Sequence, residues 1–316
     1  PDALSAATIL LPTRRACRTL RDAFLRNSGG TPMLLPRLLP LGDLDEDELL
    51  IGLSGLKSTD TGLGGEAAIS IPPAISGMRR QLLLTRLILA QQDTAITPDQ
   101  AARLARELAQ LLDQVHTERG SFDLLQDLVP EDFASHWQVT LDFLEVITDV
   151  WPNFLAADRS LDPADRRNRL LETRAQLWQN APPRDMVIAA GSTGSIPATA
   201  DLLSVIARLP RGEVILPGLD LTTGDSTWQL LDPTHPQFGM SQLLEQMGVS
   251  REEVTLWPYL SAKPTNSREL LINAALSPAA APPTMPGSLS LDDALKGIDR
   301  IDCPGPREEA TAIALA

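Results

Sequence analysis

Short β-branched and aliphatic runs alternate with longer stretches of helical period along this chain, and that alternation predicts an α/β fold. Thr8 to Leu11 is an aliphatic run ended by Pro12, and an arginine-rich amphipathic stretch follows from Thr13 to Arg26. The order reads as strand, turn and helix. Ser28, Gly29 and Gly30 stop that helix, and a Pro-interrupted apolar segment leads to the acidic run Asp43, Asp45, Glu46, Asp47 and Glu48. The stretch 51–77 is rich in Gly, Ser and Thr and reads as a loop or boundary.

From Met78 to about Asn180 the period becomes that of helices. One helix starts with Thr97 as N-cap and Pro98 at its first position. It then sets Ala101, Leu104, Ala105, Leu108, Leu112 and Val115 on one face. A second carries Phe133, Trp137, Leu141, Leu144 and Trp151, and a third begins at Asp162 and Pro163 and runs through Leu170 and Trp178. After Pro182 and Pro183 strands return. Met186 to Ala190 is followed by a Gly191-Ser-Thr-Gly-Ser195 loop and a helix from Pro197 to Arg208, and Glu213 to Leu216 is a further strand. Ile298 to Cys303 reads as another strand, before a helix opening at Pro306 with Glu308 and Glu309 in its first turn. The domain boundaries expected from these switches are 1–77 with 182–257 for a parallel-sheet domain, 78–181 for an inserted helical domain, and 258–316 for the start of a second α/β unit.

Composition narrows the chemistry. The formal net charge of −14 opposes adhesion of the general surface to DNA, so any nucleic-acid contact must be local. No apolar run is long enough to span a bilayer and no signal peptide opens the chain, which predicts a cytoplasmic protein without membrane contact. Cys17 and Cys303 form no CxxC pattern, and His116, His136 and His235 have no ligand spacing, so neither a disulfide framework nor a transition-metal site is expected. The chain opens on Pro1 and stops within a helical pattern at Ala316, which reads as a fragment.

Positive charge is concentrated where the first strand meets its helix. A parallel sheet binds ligands at the carboxyl ends of its strands, and there the sequence delivers Thr13, Arg14 and Arg15. Arg14, Arg18 and Arg21 recur at i, i+4 and i+7, so one helix face offers three guanidiniums to phosphate oxygens. The other reading is a solvated basic face offset by the protein's excess of acid. Gly191 to Ser195 lies between strand and helix like a phosphate loop but lacks the Gly-Lys-Ser/Thr ending, and Ser195 is expected to cap the helix from Pro197. The acidic run Asp43 to Glu48 could gather around magnesium, but consecutive carboxylates point around a helix, which favours a helix start or docking surface. Trp137, Trp151 and Trp178 could stack bases; their apolar spacing favours core.

The segment ILLPTRRACRTLRDAFL from Ile9 to Leu25 resembles the strand, Thr, basic pair and helix with which superfamily 1 helicases touch single-stranded DNA. Together with LLPRLLPLGDLDEDEL, VIAAGSTGSIPATADLL, GEVILPGLDL and PREEATAIALA, in that order, the chain is similar to AddB subunits, of the alphaproteobacterial type, of the AddAB helicase-nuclease. The resemblance implies a RecA-like (superfamily 1 helicase-like) domain with an inserted α-helical domain, followed by the start of a second RecA-like domain. It implies DNA-binding positions at Thr13, Arg14, Arg15 and Arg18, a role in double-strand break repair and recombination, and the AddA subunit and DNA ends as partners. In active relatives the strand equivalent to Met186 to Ala190 ends in an Asp-Glu pair that holds magnesium, whereas this chain has Ala190 and Gly191, so no catalytic residue and no cofactor are expected in it. The family's nuclease domain, with magnesium and a four-cysteine iron-sulfur cluster, is expected downstream of Ala316, because two cysteines cannot supply the cluster. Two other classes stay open: a nucleotide-dependent α/β enzyme, and a helical adaptor that binds another protein.

Overall fold

Four short strands pair side by side in parallel, in the order β2-β1-β3-β4. The computed structural model describes residues 2–41, 71–90, 96–121, 146–257, 267–281 and 289–315. The acidic run Asp43 to Glu48, the loop 51–70, His136 and the expected helix from Phe133 to Leu144 lie outside the described residues. In chain order the elements of the first part are α1 (Asp2–Ala6), β1 (Thr8–Leu11), α2 (Arg14–Asn27), β2 (Arg37–Pro40), α3 (Gly77–Ala90) and α4 (Pro98–Thr117). Then come α5 (Trp151–Asp158), α6 (Pro163–Asn180), β3 (Val187–Ala190), α7 (Pro197–Ile206) and β4 (Gly212–Ile215). The remainder are α8 (Asp225–Trp228), α9 (Phe238–Met247), α10 (Ser267–Ala275), α11 (Leu291–Leu295) and α12 (Pro306–Leu315). The chain divides into two compact units, 1–219 with 242–250, and 220–241 with 251–316.

In the first unit Thr8 pairs with Arg37 on one side and with Val187 on the other, and Val187 pairs in turn with Gly212. Side chains alternate across the sheet, so its two faces carry different residues. Ile9, Leu11, Leu38, Ile188 and Ala190 lie with Cys17, Leu20 and Phe24 of α2. Leu10, Leu39, Val187 and Ala189 face Leu171, Ala175 and Trp178 of α6, Leu202, Leu203 and Ile206 of α7, and Leu243. A parallel sheet must be covered on both faces, and here it is. Helix α7 is buried nearly all round and lies deepest, as expected for a helix without a polar face.

A second apolar cluster joins helices alone: Ile75, Leu84 and Ile88 meet Ala101, Ala105, Leu108 and Leu112 of α4 and Trp151 and Leu155 of α5. Helix α4 has the predicted start, with Thr97 at the N-cap, Pro98 in the first turn, and a capping box closed by Gln100. Helix α6 starts at Pro163 as expected, but Asp162 at its N-cap makes no side-chain cap. Its carboxylate, 1% exposed, turns inward instead. There Trp151 Nε1 donates to Asp162 Oδ2 at 2.9 Å, Arg80 Nε lies 2.8 Å from Oδ1, and His116 Nε2 lies 3.4 Å from Oδ2. Arg80 also donates to Asp113 at 2.9 Å. Burial works against the charged carboxyl, yet His116, the Arg80 guanidinium and the Trp151 indole hold it below its ordinary value.

The second unit is organised by Arg251. Its guanidinium lies 4.4 Å from the Trp228 ring centroid, pairs with Asp225, and donates to the Thr223 carbonyl at 2.7 Å. Asp220 accepts from the Thr222 amide at 2.7 Å and from its hydroxyl at 2.7 Å, closing the turn before α8. Arg268 of α10 donates to the Ala294 carbonyl of α11 at 3.1 Å. Residues 298–303, expected as a strand, form none, and Ile298 and Ile301 stay 53% and 70% exposed. A strand needs a neighbouring ladder, and among the described residues none lies beside this segment.

Asp162→Ala leaves the buried Arg80 without its main partner, and the free energy of unfolding in urea should fall by about 3–5 kcal/mol. A loss below about 1 kcal/mol would mean that Asp113 alone satisfies Arg80. Because the folded carboxyl titrates below its unfolded value of about 3.9, its stabilisation is complete above that value. It is lost as pH falls through the folded value, and the variant should lack this acid-dependent component.

Candidate nucleic-acid interface

Thr13 follows the carboxyl end of β1 with extended backbone, φ −142° and ψ 158°, and caps α2 by accepting from the Ala16 amide at 3.1 Å. Its hydroxyl proton is not used by that bond. Arg14 and Arg15 occupy the first turn, Arg18 the next, and all three are exposed at the carboxyl side of the sheet. Arg21 extends the stripe of Arg14 and Arg18, Arg26 is exposed further along the helix, and Ala16, Cys17, Leu20 and Phe24 hold the opposite face to the sheet. Against five arginines the helix sets one carboxylate, Asp22. Among the described residues, Arg15, Arg18 and Arg21 make no ion pair.

The first turn of α2 carries no acidic residue, whereas α4 has Asp99, α6 has Asp165, α11 has Asp292 and Asp293, and α12 has Glu308 and Glu309 there. Two guanidiniums at the positive end of a helix dipole cost about 0.3–1 kcal/mol each. Helices α3, α5, α7 and α9 also start without an acidic residue, and the first turn of α3 carries Arg79 and Arg80, which pair with Asp158 and with Asp113 and Asp162. An anion at the start of α2 would relieve the repulsion.

Strand order adds a feature that sequence reasoning did not reach. From β1 the chain steps outward to β2, then returns to place β3 on the other side of β1. This reversal, or switch point, lies between β1 and β3, and in open α/β sheets ligands bind in the crevice at the carboxyl ends there. The β1–α2 and β3–α7 loops meet at that point, because a Cβ on Gly191 would lie 3.5 Å from Pro12 Cγ. Gly194 has φ +67°, and a Cβ there would come within 2.8 Å of the fully buried Leu243, so the loop is seated on the core.

Ser195 does not cap α7, contrary to expectation: the N-cap position is Ile196, with no side-chain cap. Pro197 supplies no N–H, and the amides of Thr199 and Ala200 both bond the Ile196 carbonyl at 2.9 Å. The helix begins one residue later than a Ser195 cap requires, because Pro197 is its first residue and Ile196 takes the N-cap position. The loop has no lysine, Pro197 has no amide proton and the Thr199 amide is turned to the Ile196 carbonyl, so the donor set of a phosphate loop is incomplete here.

The end of β3, Ala190 and Gly191, offers no carboxylate to a divalent ion. Cys17 is buried under α2, and a chain with two cysteines cannot by itself supply a four-cysteine cluster. Trp151 and Trp178, 1% and 8% exposed, are core residues rather than stacking platforms. Trp137 lies outside the described residues. No helix among the described residues is long and apolar enough to cross a membrane. No family model, curated protein or solved structure matches the chain.

Gly194→Ala should destabilise more than Gly218→Ala. Both glycines have positive φ and share a strain of about 1–2 kcal/mol. Only Gly194 adds the clash with Leu243, roughly a further 1–3 kcal/mol. Equal losses in chemical denaturation would show that the loop is not seated on Leu243.

Proposed function

We propose that this chain is the amino-terminal, helicase-like part of an AddB-type subunit, which guides single-stranded DNA in double-strand break repair without hydrolysing ATP. The observation that carries the reading is the stripe of arginines on α2, which begins at the carboxyl edge of a parallel sheet against the helix dipole. Thr13, Arg14, Arg15 and Arg18 hold the phosphate backbone, and such contacts fix position without reading bases. The sheet is the framework of a RecA-like domain, and the helices between β2 and β3 are its insertion. A parallel sheet with strands 8–11, 187–190 and 212–215 in neighbouring positions is compatible with that assignment.

In this reading the partner is the AddA helicase-nuclease subunit, which completes the DNA channel in the cytoplasm, and the substrate is a DNA end with its single strand. Magnesium and iron-sulfur chemistry belong to the nuclease domain of the longer protein, because Ala190, Gly191 and two separated cysteines fit neither group.

Arg14→Ala combined with Arg15→Ala removes two phosphate contacts. Measured in the assembled complex, the slope of log affinity against log salt should flatten by about 1.4, and affinity at 0.1 M salt should fall roughly 10- to 30-fold for every single-strand sequence. An unchanged slope and affinity would end the phosphate-contact role.

The purified chain should also show no magnesium-dependent ATP turnover, since β3 ends without a carboxylate pair and no complete phosphate loop occurs in the sequence. Turnover abolished by a point substitution within these residues would refute it.

A further inference from the structure

We infer that the Gly191 to Ser195 loop is the second wall of the DNA track, where the hydroxyls of Thr193 and Ser195 donate to the phosphodiester that the α2 arginines hold. The inference rests on the DNA-guiding reading above and adds a set of residues to it. Helices α2 and α7 leave β1 and β3 toward opposite faces of the sheet, so their preceding loops diverge on either side of the crevice at the switch point. The arginines stand on one side. On the other the loop offers three hydroxyls within four residues, and it abuts Pro12 through Gly191.

Those hydroxyls are differently committed. Ser192 Oγ accepts from the Gly194 amide at 3.3 Å and belongs to the loop's own fold. Thr193 makes only a long contact to Ser195, 3.4 Å, and neither caps α7. Both can therefore turn outward at little cost in lost hydrogen bonding. Gly194 keeps the loop on Leu243, so the donors are held in place before any ligand arrives.

The chemistry selects an extended phosphodiester over a nucleotide polyphosphate. A polyphosphate loop uses consecutive backbone amides and a lysine, and here Pro197 lacks an amide proton while the amides of Thr199 and Ala200 bond the Ile196 carbonyl. The loop thus offers neutral donors without a lysine, beside a row of guanidiniums. That pairing suits a backbone of separate, singly charged phosphates, to which Ser, Thr and Arg side chains commonly bond.

The two walls have different salt signatures. Arginine contacts release counterions, whereas hydroxyl contacts do not. In the assembled complex, with a labelled oligo(dT) 20-mer followed by anisotropy over a salt series, Thr193→Ala combined with Ser195→Ala should weaken binding about five- to tenfold at unchanged salt slope. Thr193→Ser with Ser195→Thr keeps both hydroxyls and should restore affinity. The exposed Ser195→Ala alone, with an unchanged unfolding midpoint, should give part of the loss and guards against a folding defect. If the double alanine variant binds normally while the Arg14 and Arg15 variant is weakened, the loop inference falls and the DNA-guiding reading stands. If neither variant weakens binding, both fall. A flattened slope in the hydroxyl variant would mean that the loop acts only by positioning the arginines, and loss of inorganic pyrophosphate binding with normal DNA binding would mark a nucleotide site; either result overturns the inference.

Discussion

The parallel ladder between Thr8–Leu10 and Val187–Ala189 is the constraint on which the first unit depends. It joins strands separated by about 175 residues, so its loop-closure entropy must be repaid by what packs on the sheet. Parallel strands cannot leave a face to water, and α2 on one side and α6 and α7 on the other provide the cover. The same pairing creates the switch point: with β2 and β3 on opposite sides of β1, the loops after β1 and β3 must share one edge. Stability and the candidate site therefore come from a single topological choice.

Helix α6 has to satisfy two neighbours at once. Leu171, Ala175 and Trp178 enter the sheet cluster, while Arg166 and Asn168 are buried on its other flank, where Arg166 donates to the Pro72 carbonyl at 2.8 Å and Asn168 to that of His116 at 2.6 Å. Arg174 is 2% exposed, with its guanidinium 5.3 Å from the Trp178 ring centroid. Burial, reinforced by the nearby charge of Arg37, lowers its pKa to about 10. It still carries its proton at neutral pH, so the helix brings permanent charge into the interior. Buried polar groups of this kind cost desolvation and are tolerated where their geometry fixes one arrangement over others. Here they set how α6 meets the loop 71–75 and α4.

Local signals carried much of this architecture. The run ended by Pro12, the Thr97-Pro98 cap and the return of strand pattern after Pro183 locate β1, α4 and β3 to within a residue or two, because each is set by neighbours in the chain. Asp162 and Ser195 were legible as helix starts but not in their roles. Whether a polar side chain caps its helix or turns to a distant partner depends on residues such as Arg80, far away in sequence. Residues 298–303 read as a strand, but Ile298 and Ile301 stand three apart rather than two, and the segment has no partner ladder among the described residues. Arg14, Arg18 and Arg21 stood out through their spacing and Thr13, Arg14 and Arg15 through their place after the strand, whereas the meeting of Pro12 with Gly191 follows from strand order, which no local pattern encodes.

A net charge of −14 and the proposed site for DNA are compatible for a reason of length scale. At about 0.15 M salt the screening length is about 8 Å, so carboxylates elsewhere on the surface contribute little to a phosphate at the edge of the sheet, while the α2 guanidiniums act at contact distance. The acidic remainder still disfavours adhesion anywhere else. Asp or Glu at the start of α2, as in α4 and α12, would have offset the local field. With no acid in its first turn and five arginines along its length, α2 concentrates positive charge at one edge of the sheet, and under the proposed function that edge is where a phosphate backbone would be held.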